Sequence, residues 1–271
     1  MGVISEPRVS RRSQNTADHH PTLRVLEVLD ALSQHTEGCT LTDLASITGA
    51  SKSTLVPILK TMLRHRFIAF RSDRRYAIGM KTFSVGSAFV EGEPLIGALR
   101  SEMERVVAVC QETCQLGVLD GNHVFYIAKI DSPQAIRLIS SIGKRIPAYC
   151  TALGKALLSD RDAREIEELF PDGLAPMTPH TITSVPELCE QIADQRTDGV
   201  FTEYEESCGS VVCFAVPLCQ RGRIVAAVSI SVPRFRLDDE KETQIRQLLA
   251  GYRVTAERML EAYPEDGLLA N

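Results

Sequence analysis

Thr40 to Tyr76 reads TLTDLASITGASKSTLVPILKTMLRHRFIAFRSDRRY. Thr40, with Asp43 three residues on, is the pattern of a capping box, so a helix starts at Leu41. Leu44, Ala45 and Ile47 supply its inward side. Gly49 supplies a turn, because a residue without Cβ enters positive φ at no steric cost. Ser51 caps a second helix in which Leu55, Ile58, Leu59 and Met62 form one apolar stripe. Its other side carries Lys52, Ser53, Val56, Lys60 and Arg64, with no carboxylate. Two short helices around a glycine turn, the second basic on its outer face, are the parts of a helix-turn-helix.

Next come two short apolar runs, Phe67–Phe70 and Tyr76–Ile78, around the polar tip Arg71-Ser-Asp-Arg-Arg75. A hairpin tip with three arginines suits a place beside DNA phosphates. The competing reading is a helical pair with a solvated basic face. Two local rules are broken. Pro57 sits inside the second helix, where it removes a hydrogen bond and clashes with the carbonyl of Ser53. A kink is expected there, or a helix that starts later than Ser51. Arg66 stands where a glycine would ease a left-handed turn.

Charge follows the same division. The 271 residues carry a net charge of −5. Residues 1–81 hold 12 Lys and Arg against 7 Asp and Glu, and residues 82–271 hold 18 against 28. A basic front on an acidic body suggests a nucleic-acid module joined to a domain that does not adhere to DNA. The length suits one large domain or two medium ones. The eight cysteines are scattered, with no Cys-x-x-Cys and no zinc-finger spacing of histidines. With no signal peptide and no apolar stretch of membrane-crossing length, free thiols and a cytoplasmic location are expected, without metal or cofactor.

Residues 1–20 lack periodicity and are expected to be a disordered tail. From Pro21, Leu23, Leu26, Val28, Leu29 and Leu32 make a helix ending near Gly38 that packs on the Leu55/Leu59 stripe. Gly79–Glu93 reads as a linker helix with a greasy face, which either joins an oligomer or docks on the body. Pro94 opens a long amphipathic helix through Cys110. Then the period changes. Strands are expected at Cys114–Leu119, His123–Ala128, Ala135–Ser141, Phe201–Glu205, Val211–Leu218 and Ile224–Val232. Helices are expected from Thr151, at 162–170, at 186–196 and over Asp238–Glu261. Without regular βαβ alternation, the body is α+β with a mainly antiparallel sheet flanked by helices.

Two places in the body could hold a ligand. Cys150-Thr-Ala-Leu-Gly-Lys155 puts small residues at a helix start, whose free N–H groups would seat a carboxylate. A close helix–sheet contact wants the same residues. Ser229 and Ser231 point to one face of a strand, where a polar ligand could be their partner if that face is buried. Glu203, Glu205 and Glu206, beside Tyr204, read as a solvated edge. For catalysis there is little: no Gly-x-Ser-x-Gly elbow, no Walker loop, no Gly-x-Gly-x-x-Gly after a strand, and only His123 and His180 in the body. Catalytic residues are therefore not assigned.

Taken in order, Leu41-Thr-Asp-Leu-Ala, Thr48-Gly, Lys52-Ser-Thr, Arg74-Arg-Tyr-x-Ile-Gly-Met-Lys, Leu119-Asp-Gly, Thr151-Ala-Leu-Gly-Lys-Ala-Leu-Leu, Glu205-Glu and Val228-Ser-Ile-Ser resemble the IclR family of bacterial transcriptional regulators. The resemblance runs from about Leu23 to Tyr263. It implies a winged helix-turn-helix at 21–79, a linker helix at 80–93, a GAF-like effector-binding and oligomerisation domain at 94–263, and a tail at 264–271. It also implies dimers or dimers of dimers on palindromic double-stranded operators, acting as repressors or activators, with small organic acids or aromatic compounds as effectors. DNA would be met by Lys52, Ser53, Thr54, Lys60 and Arg64, by Val56 on a thymine methyl, and by Arg71, Arg74 and Arg75 of the wing. Carried over by position, the effector residues are Ala135, Ala152, Leu153, Glu203, Cys213, Ser229 and Ser231. Departures from the family pattern are Val56, Pro57, Arg66, and Tyr149 where histidine is common. The rival readings are a small-acid-metabolising enzyme with an N-terminal interaction module, and a dimeric scaffold with an empty body.

Overall fold

The structure is a computed structural model that describes residues 19–91, 94–138 and 140–263. The chain divides into two compact units at Phe89/Val90. Most of the expected N-terminal tail, the C-terminal tail 264–271 and residues 92–93 of the expected linker lie outside the described residues.

The first unit holds helices α1 (His20–Gln34), α2 (Leu41–Thr48) and α3 (Lys52–Arg64), strands β1 (Ile68–Phe70) and β2 (Tyr76–Ile78), and helix α4 (Met80–Glu91). Thr40 and Asp43 close a reciprocal capping box on α2, and Gly49 ends that helix at φ 66°. Ser51 caps α3 through the N–H of Thr54. The core joins Val28, Ala31 and Leu32 of α1 to Leu55, Leu59 and Met62 of α3, with Leu44 and Ile68. Ile47 departs from its expected inward place and is 48% exposed. Helix α1 stops at Gln34, four residues short of Gly38, because Cys39 exchanges backbone hydrogen bonds with Tyr76 instead.

Pro57 does not delay α3, which begins immediately after Ser51 and runs unbroken to Arg64. The proline removes one donor, and the carbonyl deprived of it, on Ser53, lies in the exposed first turn where water can serve it. Arg66 takes the left-handed conformation at φ 64°. Phe67 N–H donates to Met62 O and Arg66 N–H to Leu63 O, both at 3.0 Å. These two bonds form a Schellman ending in which arginine occupies the usual glycine position.

The second unit contains α5 (Pro94–Cys110), β3 (Thr113–Asp120), β4 (His123–Ile130), β5 (Arg145–Pro147), α6 (Ala152–Leu157), α7 (Ala163–Leu169), α8 (Val185–Asp198), β6 (Phe201–Tyr204), β7 (Val211–Gln220), β8 (Arg223–Pro233) and α9 (Asp239–Glu261). Its six strands run β5-β4-β3-β8-β7-β6, every neighbour antiparallel. Helices α5 and α9 cover one face of the sheet. The other face carries a 3-10 turn at Ala148–Cys150, then α6, α7 and α8. Both faces of the sheet are therefore covered by helices.

The strand expected at Ala135–Ser141 does not form among the described residues. The edge of β4 is taken by Arg145–Pro147, a strand too short to read from sequence. Between them, Gly143 and Lys144 close bonds to Tyr126, and the described residues 131–138 and 140–142 pair with no strand. A proline ends β5, as an edge position permits.

Candidate functional site

The basic face of α3 is open. Lys52, Ser53, Thr54, Lys60 and Arg64 are exposed and Val56 is half-buried. Ser51 Oγ lies 2.8 Å from Ser53 Oγ and 2.9 Å from Thr54 Oγ1, so the hydroxyls gather at the helix start. Lys52, Lys60 and Arg64 have no carboxylate within ion-pair distance among the described residues. On the wing, Arg71 and Arg74 are exposed. Arg75 is different: its Nη1 donates to Gly38 O at 2.9 Å, and Asp43 lies 3.9 Å away. It ties the wing to the turn before α2. These residues make a cationic surface at a helix and a hairpin tip, fit for a polyanion.

In the second unit, a cavity of about 160 Å³ opens on the sheet face beneath α6. Four of the expected effector residues line it: Ala152, Leu153, Cys213 and Ser229. Three do not. Ser231 lies behind the wall, donating to Gln115 Oε1 at 3.1 Å and meeting Cys213 Sγ at 3.2 Å. Glu203 is fully buried beside Cys213. Ala135 is exposed, between β4 and β5. Leu138 and Ser140 from the same connection line the cavity, with Lys144 and Ile146 following.

Sequence reasoning missed Gln115, Tyr126, Ser140, Lys144, Ser207 and Cys208 at this cavity, whereas Thr151 belongs to the helix start it had singled out. Gln115 had a readable signal, since it lies opposite Ser229 in the β3–β8 register, but that register requires the topology. Its Nε2 donates to Ser140 Oγ at 2.5 Å. The two serines do share one face, and it is buried, at 2% and 1% exposure.

The helix start combines both readings given for it. Thr151 Oγ1 accepts from Gly154 N–H at 2.9 Å. A Cβ on Gly154 would stand 2.0 Å from Ala148 O, so the glycine is needed for close packing. Ala152 and Leu153 N–H have no hydrogen-bond partner among the described residues and belong to the cavity wall. Tyr149 turns away from the cavity. Its hydroxyl donates to Ala175 O at 2.5 Å, its ring meets Phe170 edge-on, and burial pushes its pKa up to about 12.

The glutamate run is not a solvated edge. Glu203 and Glu206 are buried, and Lys155, fully buried on α6, pairs with Glu206 Oε1. Only Glu205 is partly exposed; its Oε1 accepts the N–H of Ser210. Burial raises the pKa of Glu203, and also that of Cys213, beside which Glu203 adds its charge. All eight cysteines are free thiols. Among the described residues no cluster of metal-ligating side chains occurs, and no helix is long and apolar enough to cross a membrane.

Comparison with known proteins agrees with both halves. Residues 22–72 match the family described as the IclR helix-turn-helix domain, and residues 88–257 match the bacterial transcriptional regulator IclR C-terminal family. The chain is 34% identical over 241 residues to the HTH-type transcriptional regulator KdgR of Dickeya chrysanthemi, covering 88% of this chain and 79% of that protein. A crystal structure of an IclR-type transcriptional regulator from Alicyclobacillus acidocaldarius superposes with TM-score 0.81 at 22% identity, over 89% of this chain and 98% of that one. An IclR homolog from Microbacterium hydrocarbonoxydans, solved with 4-hydroxybenzoate, superposes with TM-score 0.76 at 22% identity, over 90% of this chain and 100% of its own.

Proposed function

Since the chain belongs to the IclR family of bacterial transcriptional regulators, we propose that it binds operator DNA through α3 and the wing and senses a small acid in the cavity beneath α6. It is a DNA-binding transcriptional regulator with an effector domain. In our reading Lys52, Ser53, Thr54, Lys60 and Arg64 meet the major groove and its phosphates, with Val56 against a base. Arg71 and Arg74 meet the backbone beside it. The working division is 21–79 for DNA, 80–93 for the linker and 94–263 for the effector.

The observation that carries the effector reading is the cavity itself. Hydroxyl and amide groups of Gln115, Ser140, Thr151, Ser229 and Tyr126 surround it, Lys144 adds a cation, and no carboxylate is among its lining residues. Such a lining suits a small anion with further oxygens. The 4-hydroxybenzoate held by the Microbacterium hydrocarbonoxydans homolog is an acid of this broad class. We read a bound acid there as a signal rather than a substrate, as befits a chain of a transcriptional-regulator family. A homodimer or dimer of dimers on a palindromic site fits the exposed Met80 and Phe83 of α4. Free thiols fit a reducing cytoplasm.

Fluorescence anisotropy tests this, comparing the DNA upstream of the chain's own gene with random duplex at near-physiological salt. Tighter binding to the upstream DNA is expected, together with a thermal shift by a small carboxylate that is not consumed. Equal affinity for both duplexes, with and without a carboxylate panel, would sink the reading.

A further inference from the structure

Pro57 is the sixth residue of α3, past the first turn in which a helix tolerates proline. In a helix interior proline is the least favourable residue, because it lacks the N–H and crowds the carbonyl four residues back. Nothing in the fold offsets that cost. Helix α3 runs through it from Lys52 to Arg64, so the proline neither starts nor ends the helix, and its exposed ring fills no core. Local rules are broken in this way at functional sites. The placement of the ring says which function. Leu55, Leu59 and Met62 are the buried residues of α3. On a helix that turns about 100° per residue they mark the direction of the core, and Pro57 and Arg64 lie nearest to its opposite. Val56 lies about a quarter-turn from the core direction and is half-buried. Around the ring stand Ser53, Lys60, Thr61 and Arg64, all exposed. Thr61 turns its hydroxyl back onto Pro57 O at 3.0 Å. The centre of the basic face is therefore an apolar ring framed by cations.

We propose that Pro57 is a specificity residue, its ring packing on the C5-methyl of one thymine in the major groove of each operator half-site. This rests on reading α3 as the helix that enters that groove, where the N-terminal residues of a recognition helix meet base edges. The thymine methyl is the apolar group that the major groove presents. Lysine, arginine and serine answer to phosphates and to base nitrogens and oxygens, and leave a methyl unread. A pyrrolidine ring fixed in the helix offers it an apolar partner with no side-chain rotamer to freeze. The contact centres on Pro57, with half-buried Val56 at its edge.

Selection from a random duplex pool with the full chain supplies the probe. In the enriched duplex each thymine is replaced in turn by deoxyuridine, which lacks only the methyl, and binding is followed by fluorescence anisotropy at near-physiological salt. One thymine in each half-site should show a loss of about fourfold, the scale of one methyl group taken out of water. Pro57→Ser should bind the thymine and deoxyuridine duplexes alike, whereas Val56→Ser should keep most of the difference. Because serine restores the backbone N–H, Pro57→Ser should also melt above the wild type. Binding indifferent to every thymine methyl overturns the proposal, as does a methyl effect that survives in Pro57→Ser or disappears only in Val56→Ser. A lower melting temperature for Pro57→Ser overturns it too, because the ring would then serve the fold. If no duplex is enriched, the operator-binding reading fails and takes the proposal with it. An enriched duplex without a methyl effect leaves that reading standing and removes Pro57 as a reader of thymine.

Discussion

Arg75 donates from Nη1 to the carbonyl of Gly38 at 2.9 Å, across 37 residues of chain. The bond clamps the base of the wing to the turn that leads into α2. Arg71 and Arg74, on the same tip, make no such contact among the described residues. Three arginines that look alike in the sequence therefore divide into one that holds the hairpin and two that face outward. Replacing Arg71 or Arg74 by alanine should lower the salt slope of DNA binding by about one each and leave the melting temperature unchanged. Arg75→Ala should lower the melting temperature as well, by the loss of about 1 kcal/mol for a hydrogen bond of this kind. Equal thermal behaviour of all three variants would contradict the division.

The capping box makes the first unit sensitive to acid. The backbone N–H of Thr40 donates to Asp43 Oδ2 at 2.8 Å, and hydrogen bonding from Thr40 holds that carboxyl below its ordinary pKa. A carboxyl depressed in the folded state stabilises fully above its unfolded pKa and loses that contribution as pH falls through the folded value. The stability gap between wild type and Asp43→Ala should therefore be widest near neutral pH and close below about pH 4. Denaturant melts across that range measure the gap, and a gap that widens in acid would refute this account.

Lys155 and Glu206 should be strongly coupled. Removing the lysine alone, as Lys155→Met, leaves a buried carboxylate without its cation and should cost about 3–5 kcal/mol. Removing both, as Lys155→Met with Glu206→Leu, should recover much of that loss. Urea titration of the four proteins gives the coupling energy. Additive losses would mean that the pair does not act as one.

Gly154→Ala should destabilise the second unit by about 1–3 kcal/mol, because the added methyl would stand 2.0 Å from Ala148 O and force α6 away from the 3-10 turn. Since Ala152 and Leu153 ride on that helix, the same variant should weaken any carboxylate binding detected by thermal shift. Unaltered stability with unaltered binding would show that the close approach is dispensable.

Ser229 and Ser231 should behave differently although they are two residues apart. Ser229 lines the cavity, so Ser229→Ala should change ligand binding with little loss of stability. Ser231→Val removes the donor to Gln115 Oε1 and should cost about 1–3 kcal/mol for the buried oxygen left without a partner. Calorimetry on both variants separates the two effects. An intact ligand response in Ser229→Ala would remove that serine from the site.

Local signals were sufficient for the first unit. Thr40 with Asp43, Gly49, Ser51 and the apolar stripe of α3 each act within one or two turns of helix, so their geometry is written in adjacent residues. The alternation that puts Ser229 and Ser231 on one face is equally local. Three other features were decided at a distance. Glu203 and Glu206 look like surface charge in the sequence, and only the packing of α6 over β6 and β7 buries them, Glu206 against Lys155. Gln115 enters the cavity because β3 pairs with β8, more than a hundred residues away. The 131–142 segment is apolar enough for a strand, yet Arg145–Pro147 holds the edge it would need. Side-chain period and helix caps depend on neighbours along the chain, whereas burial, charge pairing and edge position depend on which remote segments the fold brings together.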